Sequence, residues 1–368
     1  MKLIFDAHLD LGWNAISWKR DLTKPVSQIN AAEIELNDNP ARGHATTSLP
    51  EMRKGGVAAC LATLIARAPT GPGARFEMGD LDFRTPEMAF AAAHGQLSYY
   101  RILARQGEVR MISSRDGLDD HWRQWEETPQ REGLPVGLIL AMEGCDSVVD
   151  AGQLTWWHEL GLRCASLVHY GRNVYAGGTG DDSGLSERGR ELLTAFEKVG
   201  MILDVTHLCD RSFFDAVGHF GGPVLASHQN CRALVSHPRQ FSDQQLRLLF
   251  DRGGVVGVAC DAWMLHEGWQ HGLSGRELVG LDAIGDHIDH LCQLAGNARQ
   301  VAIGSDLDGG FGREQTPLGL DTIADLQKLS TVLADRGYPD DEINRFFCLN
   351  WLDFLRTHLP RGDHDVAE

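Results

Sequence analysis

The 368-residue sequence predicts an α/β fold: one (β/α)8 barrel over residues 1–368, with long, decorated connections after its strands. Three observations predict it. Nine short apolar, β-prone runs occur, and eight of them alternate with helical or long polar connections. The runs are continuously apolar, as in parallel strands buried on both faces, rather than alternating apolar and polar. No interior linker, internal repeat or low-complexity segment divides the chain.

Leu3 to Ala7 is the first predicted strand and ends in His8-Leu9-Asp10. Residues i and i+2 of an extended chain face the same way. His8 and Asp10 therefore offer a nitrogen and an oxygen on one side, a pairing suited to a divalent metal. Residues 19–54, with Pro25, Pro40 and Pro50, read as a long loop or lid. Gly56 to Ile65 is the second strand, and residues 69–85 form another excursion. Pro86 to Gln106 is helical, with Pro at its start, an Ala-rich body and Arg near its end. Glu108 to Ile112 is a short strand outside the alternation, and Leu118 to Glu132 a charged helix or loop. Pro135 to Met142 is strongly apolar and ends in Glu143-Gly144, where the carboxylate is either a salt-bridged end or a ligand. Arg163 to Val168 ends at His169. The Gly/Asp-rich loop that follows, 170–184, lacks the Walker spacing and is not read as a phosphate cradle.

Ser186 to Val199 is an amphipathic helix feeding the stretch that organises the chain. Met201 to His207 and Pro223 to His228 are apolar runs that each end in a histidine. The 21-residue step from His207 to His228 leaves room for one helix and two turns, a βαβ unit. Two imidazoles at the carboxyl ends of neighbouring parallel strands would share the rim where barrel enzymes place catalytic groups. Taken alone, the pair could equally be satisfied by backbone hydrogen bonds. Next come Ser236-His237-Pro238-Arg239, a capping-box-like helix start at Ser242, and a Val-rich strand from Gly254 to Cys260. In the helix from Leu281 to Leu294, residues Asp282, Asp286, His287, Asp289 and His290 read as a solvated face rather than a metal site. Val301 to Gly304 is the last strand and leads into Ser305-Asp306-Leu307-Asp308-Gly309. Helical segments at 322–333 and 340–356 follow.

Six strand ends thus carry polar groups: His8 with Asp10, Glu143, His169, His207, His228 and Asp306. A closed barrel gathers its strand ends around one mouth, so groups remote in sequence should meet there.

With these motifs the chain resembles the membrane (renal) dipeptidases, zinc peptidases on an amidohydrolase-type barrel. The resemblance rests on Asp6-Ala7-His8-Leu9-Asp10, Glu143-Gly144, His169, Asp204-Val205-Thr206-His207, Ala226-Ser227-His228, His237-Pro238-Arg239 and Gly304-Ser305-Asp306-Leu307-Asp308-Gly309. It implies an amidohydrolase-like barrel with two Zn2+ per chain. His8, Asp10 and Glu143 would hold one metal, Glu143, His207 and His228 the other, with Glu143 bridging. It also implies that His169 and Arg239 meet the substrate and that Asp306 lies beside the metal-bound water. The chemistry agrees. Two nearby cations acidify a bridging water and polarise a scissile carbonyl. Asp306 can orient that water and carry its proton to the leaving amine, with Asp308 as the competing candidate. His169 can donate to the developing oxyanion, and the planar fork of Arg239 matches a carboxylate. The four-residue step from His169 to Asn173 is slightly wider than in the animal members, and segments 19–54, 69–85 and 118–134 have no traceable counterpart.

The expected reaction is hydrolysis of dipeptides by attack of a metal-bridging hydroxide. The alternatives are another amidohydrolase-type hydrolase, acting on an N-acyl amino acid, amide or lactone, and a metal-binding protein without turnover. A net charge of −17 with no Lys/Arg-rich run argues against nucleic acid or an anionic membrane as partner. Eight scattered cysteines without a Cys-x-x-Cys pair point to a reducing compartment. The opening apolar run is too short for a signal peptide, and no run of about 18 apolar residues occurs. The expectation is a cytoplasmic protein whose partner is a small substrate, with a homodimer left open.

Overall fold

The computed structural model describes residues 1–71, 74, 76 and 80–362. Part of the predicted excursion at 69–85, namely residues 72, 73, 75 and 77–79, therefore lies outside the described residues. Strands form at the nine marked runs: β1 (Ile4–Leu9), β2 (Val57–Ile65), β3 (Val109–Met111), β4 (Val136–Glu143), β5 (Leu162–Ser166), β6 (Ile202–Asp204), β7 (Val224–Leu225), β8 (Val256–Val258) and β9 (Val301–Ile303). All pairings are parallel. They run β1-β2-β4-β5-β6-β7 in one sheet and β8-β9 in a second. A bridge between Ala226 and Val256 carries the wall from β7 to β8. Every strand residue is buried except two in β3, which explains why the runs are continuously apolar.

The odd strand has a simple geometry. A strand has two edges, and β2 takes one edge of β4. On the other, β3 pairs with Val136–Leu138, and β5 takes over from Leu140. Eight strands thus build a (β/α)8-type barrel wall, and β3 is a short addition at its base. The circuit from β9 back to β1 is not made by a backbone ladder among the described residues. Instead Asp6 of β1 accepts hydrogen bonds from the Ser305 amide (2.9 Å) and hydroxyl (2.5 Å), just past β9. Around β7, β8 and β9 the ends crowd so closely that a Cβ at Gly257 or Gly304 would collide with the Ser227 carbonyl.

The outer helices begin where the sequence supplies caps. Thr85 caps Pro86–Arg105, Ser186 caps Glu187–Val199, and Ser242 with Gln245 forms a full capping box for Asp243–Asp251. Two expectations need correction, the bare loop at 19–54 and the solvated place given to His287. Segment 19–54 is not a bare loop: it carries helices Val26–Glu33 and Leu49–Gly55. It is pinned by Arg20 on Glu33 (2.9 Å) and by Thr46 and Thr47, whose amides donate to Asp308 (2.9 and 3.0 Å). The helical segment expected at 322–333 is present, as a 3-10 helix, Ile323–Lys328, running into α-helix Leu329–Asp335. Helix Asp282–Ala295 is present, but His287 is fully buried and its Nδ1 accepts from the Cys231 amide at 3.1 Å. Asp282 and Asp286 are exposed and Asp289 and His290 partly so, as expected of a solvated face, with Arg336 paired to Asp286 and Asp289 and Asp243 to His290. All eight cysteines are free thiols, and no helix among the described residues is long and apolar enough to cross a membrane.

Candidate metal centre

The residues predicted from strand ends converge at the carboxyl-terminal mouth of the barrel. His8 lies in β1 and Asp10 just beyond it, and Glu143 ends β4. His169, His207, His228 and Asp306 each follow β5, β6, β7 and β9 by three residues. The ends of β6 and β7 are held level by one carboxylate oxygen: Asp204 Oδ1 accepts from the Thr206 amide (3.0 Å) and the Ser227 amide (3.1 Å). At two ends the backbone itself turns the side chain inward. His207 and Asp306 adopt left-handed φ values of 68° and 59°. This conformation costs a non-glycine residue about 1–3 kcal/mol and clusters at functional sites.

Glu143 stands at the centre with its two oxygens facing different sides. Oε2 is 3.4 Å from His8 Nε2, which in turn lies 3.8 Å from both Asp10 Oδ1 and Asp306 Oδ1. Oε1 is 3.1 Å from His207 Nε2, 3.4 Å from His228 Nε2 and 3.8 Å from His169 Nε2. Three ligand trios have their donor atoms within 4.8 Å of one another: His8/Asp10/Glu143, Glu143/His207/His228 and His8/His228/Asp306.

Each ring is oriented from behind, as metal-ligating histidines usually are. The Thr179 hydroxyl lies 3.0 Å from His207 Nδ1, and the Ser227 hydroxyl 2.9 Å from His228 Nδ1. Thr63 donates to Asp10 Oδ1. The inward atoms face one another and Glu143. His207 and His228 aim Nε2 at each other across 3.2 Å, and His8 Nε2 is buried with no hydrogen-bond partner. Burial lowers the pKa of His169, His207 and His228, keeping these imidazoles neutral and able to coordinate. Burial also pulls on His8, but Glu143 and then Asp10 outweigh it and hold that pKa up. Burial raises the Glu143 and Asp306 carboxyls. A buried nest of nitrogen lone pairs and carboxylate oxygens, oriented from behind and with His8 Nε2 unsatisfied within, fits divalent cations with mixed N/O ligation.

Around this centre lies a cavity of about 220 Å³, lined by Glu143, His169, Arg239 and Asp306 and walled by aromatic side chains including Trp13 and Tyr170. Arg239 is only 2% exposed; it donates from Nη1 to Gln229 Oε1 (2.6 Å) and from Nη2 to the His228 carbonyl (2.9 Å). Asp308 faces away, bound to Thr46 and Thr47, and does not line the cavity. Several contributors carry no signal that spacing could reveal. Arg67, held by Asp82 at 2.8 Å, approaches His169 Nδ1 to 3.5 Å. Thr179 belongs in the same class. Asp261 could have been found: it directly follows the strand run from Gly254 to Cys260 and lines the cavity, by the same strand-end rule that selects the others.

A profile of the membrane dipeptidase family (peptidase family M19) matches residues 1–358. An uncharacterized protein in the pqqA 5′ region of Klebsiella pneumoniae is 33% identical over 237 residues, covering 62% of this chain and 84% of that protein. An uncharacterized dipeptidase of Schizosaccharomyces pombe is 26% identical over 238 residues, covering 63% of this chain but only 56% of the yeast protein. Among solved structures, a metallopeptidase of Rhodobacter sphaeroides liganded with a phosphinate mimic of the dipeptide L-Ala-D-Ala superposes with a TM-score of 0.76 at 21% identity, covering 98% of this chain and all of that one. At that identity the superposition speaks for the fold.

Proposed function

This chain belongs to the membrane dipeptidase family, metal-dependent hydrolases of peptidase family M19, and from that premise we propose that it is a dinuclear zinc dipeptidase. The observation that carries the reading is the division of Glu143, one oxygen toward His8 and Asp10 and the other toward His207 and His228. In this assignment His8, Asp10 and Glu143 hold one Zn2+, and Glu143, His207 and His228 hold the other. When bound, such a pair of cations supplies an acidified water and a polarised carbonyl.

The remaining steps belong to the chain's own side chains. Asp306 reaches the cavity with 14% of its side chain exposed. It takes a proton from the attacking water and returns it to the leaving amine nitrogen. Arg67 facing His169 Nδ1 favours the tautomer with the proton on Nε2, the nitrogen directed at Glu143. From there His169 donates to the carbonyl oxygen as it gains negative charge. Arg239, pre-oriented by Gln229 and the His228 carbonyl, presents its guanidinium to the substrate carboxylate. Metal analysis of the purified protein, with turnover assays on dipeptides, N-acyl amino acids and lactones, tests the proposal. Near two zinc ions per chain and dipeptide turnover are expected. Turnover of lactones or N-acyl amino acids but not dipeptides would move the reading to another amidohydrolase-type activity, and bound metal without any turnover to a metal-binding protein.

Arg239→Lys gives a narrower check. Lysine keeps the charge but loses the fork, so KM for free-acid dipeptides should rise by roughly 1.5–3 kcal/mol. Equal effects on amidated and free-acid substrates would remove the carboxylate role. Because Arg239 also holds the His228 carbonyl, metal content is to be measured alongside.

A further inference from the structure

We propose that Asp261 makes this enzyme select dipeptides that bear a cationic side chain, lysine or arginine, by pairing with that charge inside the cavity. The inference rests on the dipeptidase reading and adds the substrate class.

Asp261 lies just past β8, is 5% exposed, and lines the same cavity as Arg239 and the metal-ligand residues. It is firmly held: Gln315 Nε2 donates to both of its oxygens at 2.9 Å, and Trp263 adds further hydrogen bonds. Gln315 is in turn fixed by His271 Nδ1. These donors favour the carboxylate form, yet no side-chain cation forms an ion pair with it among the described residues; Arg239 acts on it through charge alone, behind the Gln315 and Trp263 hydrogen bonds. Burial consequently pushes its pKa up to about 7, opposed by the Gln315 and Trp263 hydrogen bonds. An oriented, dehydrated carboxylate without a counter-charge is costly to keep in a protein interior. On the wall of a substrate cavity, it is a socket for a cation that arrives with the substrate.

The tether length decides which cation. The terminal amine of a dipeptide is separated by one carbon from the scissile carbonyl, so in the proposed binding mode it falls to the carboxylates of the metal side, Asp10, Glu143 and Asp306. Asp261 belongs to none of the trios of closely spaced ligand atoms there. A charge that reaches Asp261 must therefore sit on a longer arm. The neighbouring lining suits such an arm: Trp263 and Met264 offer apolar surface for a methylene stem, and the indole an electron-rich face for its charged end. Arg239 and Asp261 together then match one negative and one positive group on a single small substrate.

The test uses the zinc-loaded enzyme and substrate pairs that differ only in charge: arginine against citrulline, and lysine against norleucine, each at either position of a dipeptide with alanine. At one position the charged member should be favoured in kcat/KM by at least about tenfold, the low end of what a hydrogen bond to a charged group is worth. Asp261→Asn, which keeps an acceptor for Gln315, should collapse that ratio toward one, and Asp261→Glu should restore part of it. If Asp261 only anchors Gln315, the variant slows both members alike and the ratio survives, which overturns the proposal. Wild-type enzyme that cleaves charged and neutral members equally well overturns it too, while leaving the dipeptidase reading intact. If no dipeptide is cleaved, that reading fails instead. Calorimetric titration of zinc-loaded Asp306→Asn protein with the same pairs still decides the role of Asp261: tighter binding of the charged member supports it, and equal affinity ends it.

Discussion

Asp306→Asn is expected to keep both metals and substrate affinity while kcat falls by about 10²–10⁴-fold, the usual range for losing general acid–base assistance. The substitution is clean on the backbone. Asp306 sits at φ 59°, and asparagine is among the few residues that accept the left-handed region readily. The amide fills the same volume but cannot carry the proton. Asp306 also belongs to a trio with His8 and His228, its Oδ1 lying 3.8 Å from His8 Nε2, so a ligand role is the competing explanation. Zinc analysis beside single-turnover kinetics separates the two. Loss of metal makes Asp306 a ligand, and near-normal turnover hands the proton to solvent. Asp308 is no longer a rival, since Thr46 and Thr47 occupy it.

Glu143→Gln should reduce zinc from near two ions per chain to one or fewer, and with it activity by at least about 100-fold, since even an outer-shell partner can cost that much. A neutral amide presents one oxygen, whereas the native geometry uses one oxygen toward His8 and the other toward His207 and His228. Full occupancy in this variant, measured by metal analysis on protein with unchanged circular dichroism, would take Glu143 out of the site.

Much of this centre could be read from the sequence because of how parallel strands work. Buried on both faces, β2 and β4 write themselves as apolar runs, and the ligand-type residue that closes such a run, at its last position or within about three residues beyond the strand, marks the mouth. That rule leads to Glu143, His207 and His228, and applied evenly it also leads to Asp261. Residues that act from behind are invisible to it. Thr179 meets His207 from a loop 28 residues upstream, and Arg67 meets His169 across 102. The pinning of segment 19–54 fails for the same reason. Its decisive contact, Thr46 to Asp308, spans 262 residues, and composition alone describes only a polar stretch with prolines. His287 misleads differently: its helix has the periodicity of a solvated face, but the Cys231 amide claims the ring from the far side.

The carboxylate that joins β1 to Ser305 gives the barrel a mechanical asymmetry. The wall is a hoop with a clasp, and the clasp is a pair of side-chain contacts where the neighbouring joints use backbone ladders or bridges. His8 stands on one side of it and Asp306 on the other, so any loosening there pulls the two apart. In the assignment proposed above, a metal held by His8, Asp10 and Glu143 would brace the β1 side of this clasp. Amide hydrogen exchange should reveal this as faster exchange at Ser305 and Leu307 than at the β2–β4 ladder, slowed selectively when zinc is restored to chelator-treated protein. Uniform slowing over the whole wall would mean that the hoop has no preferred place to open.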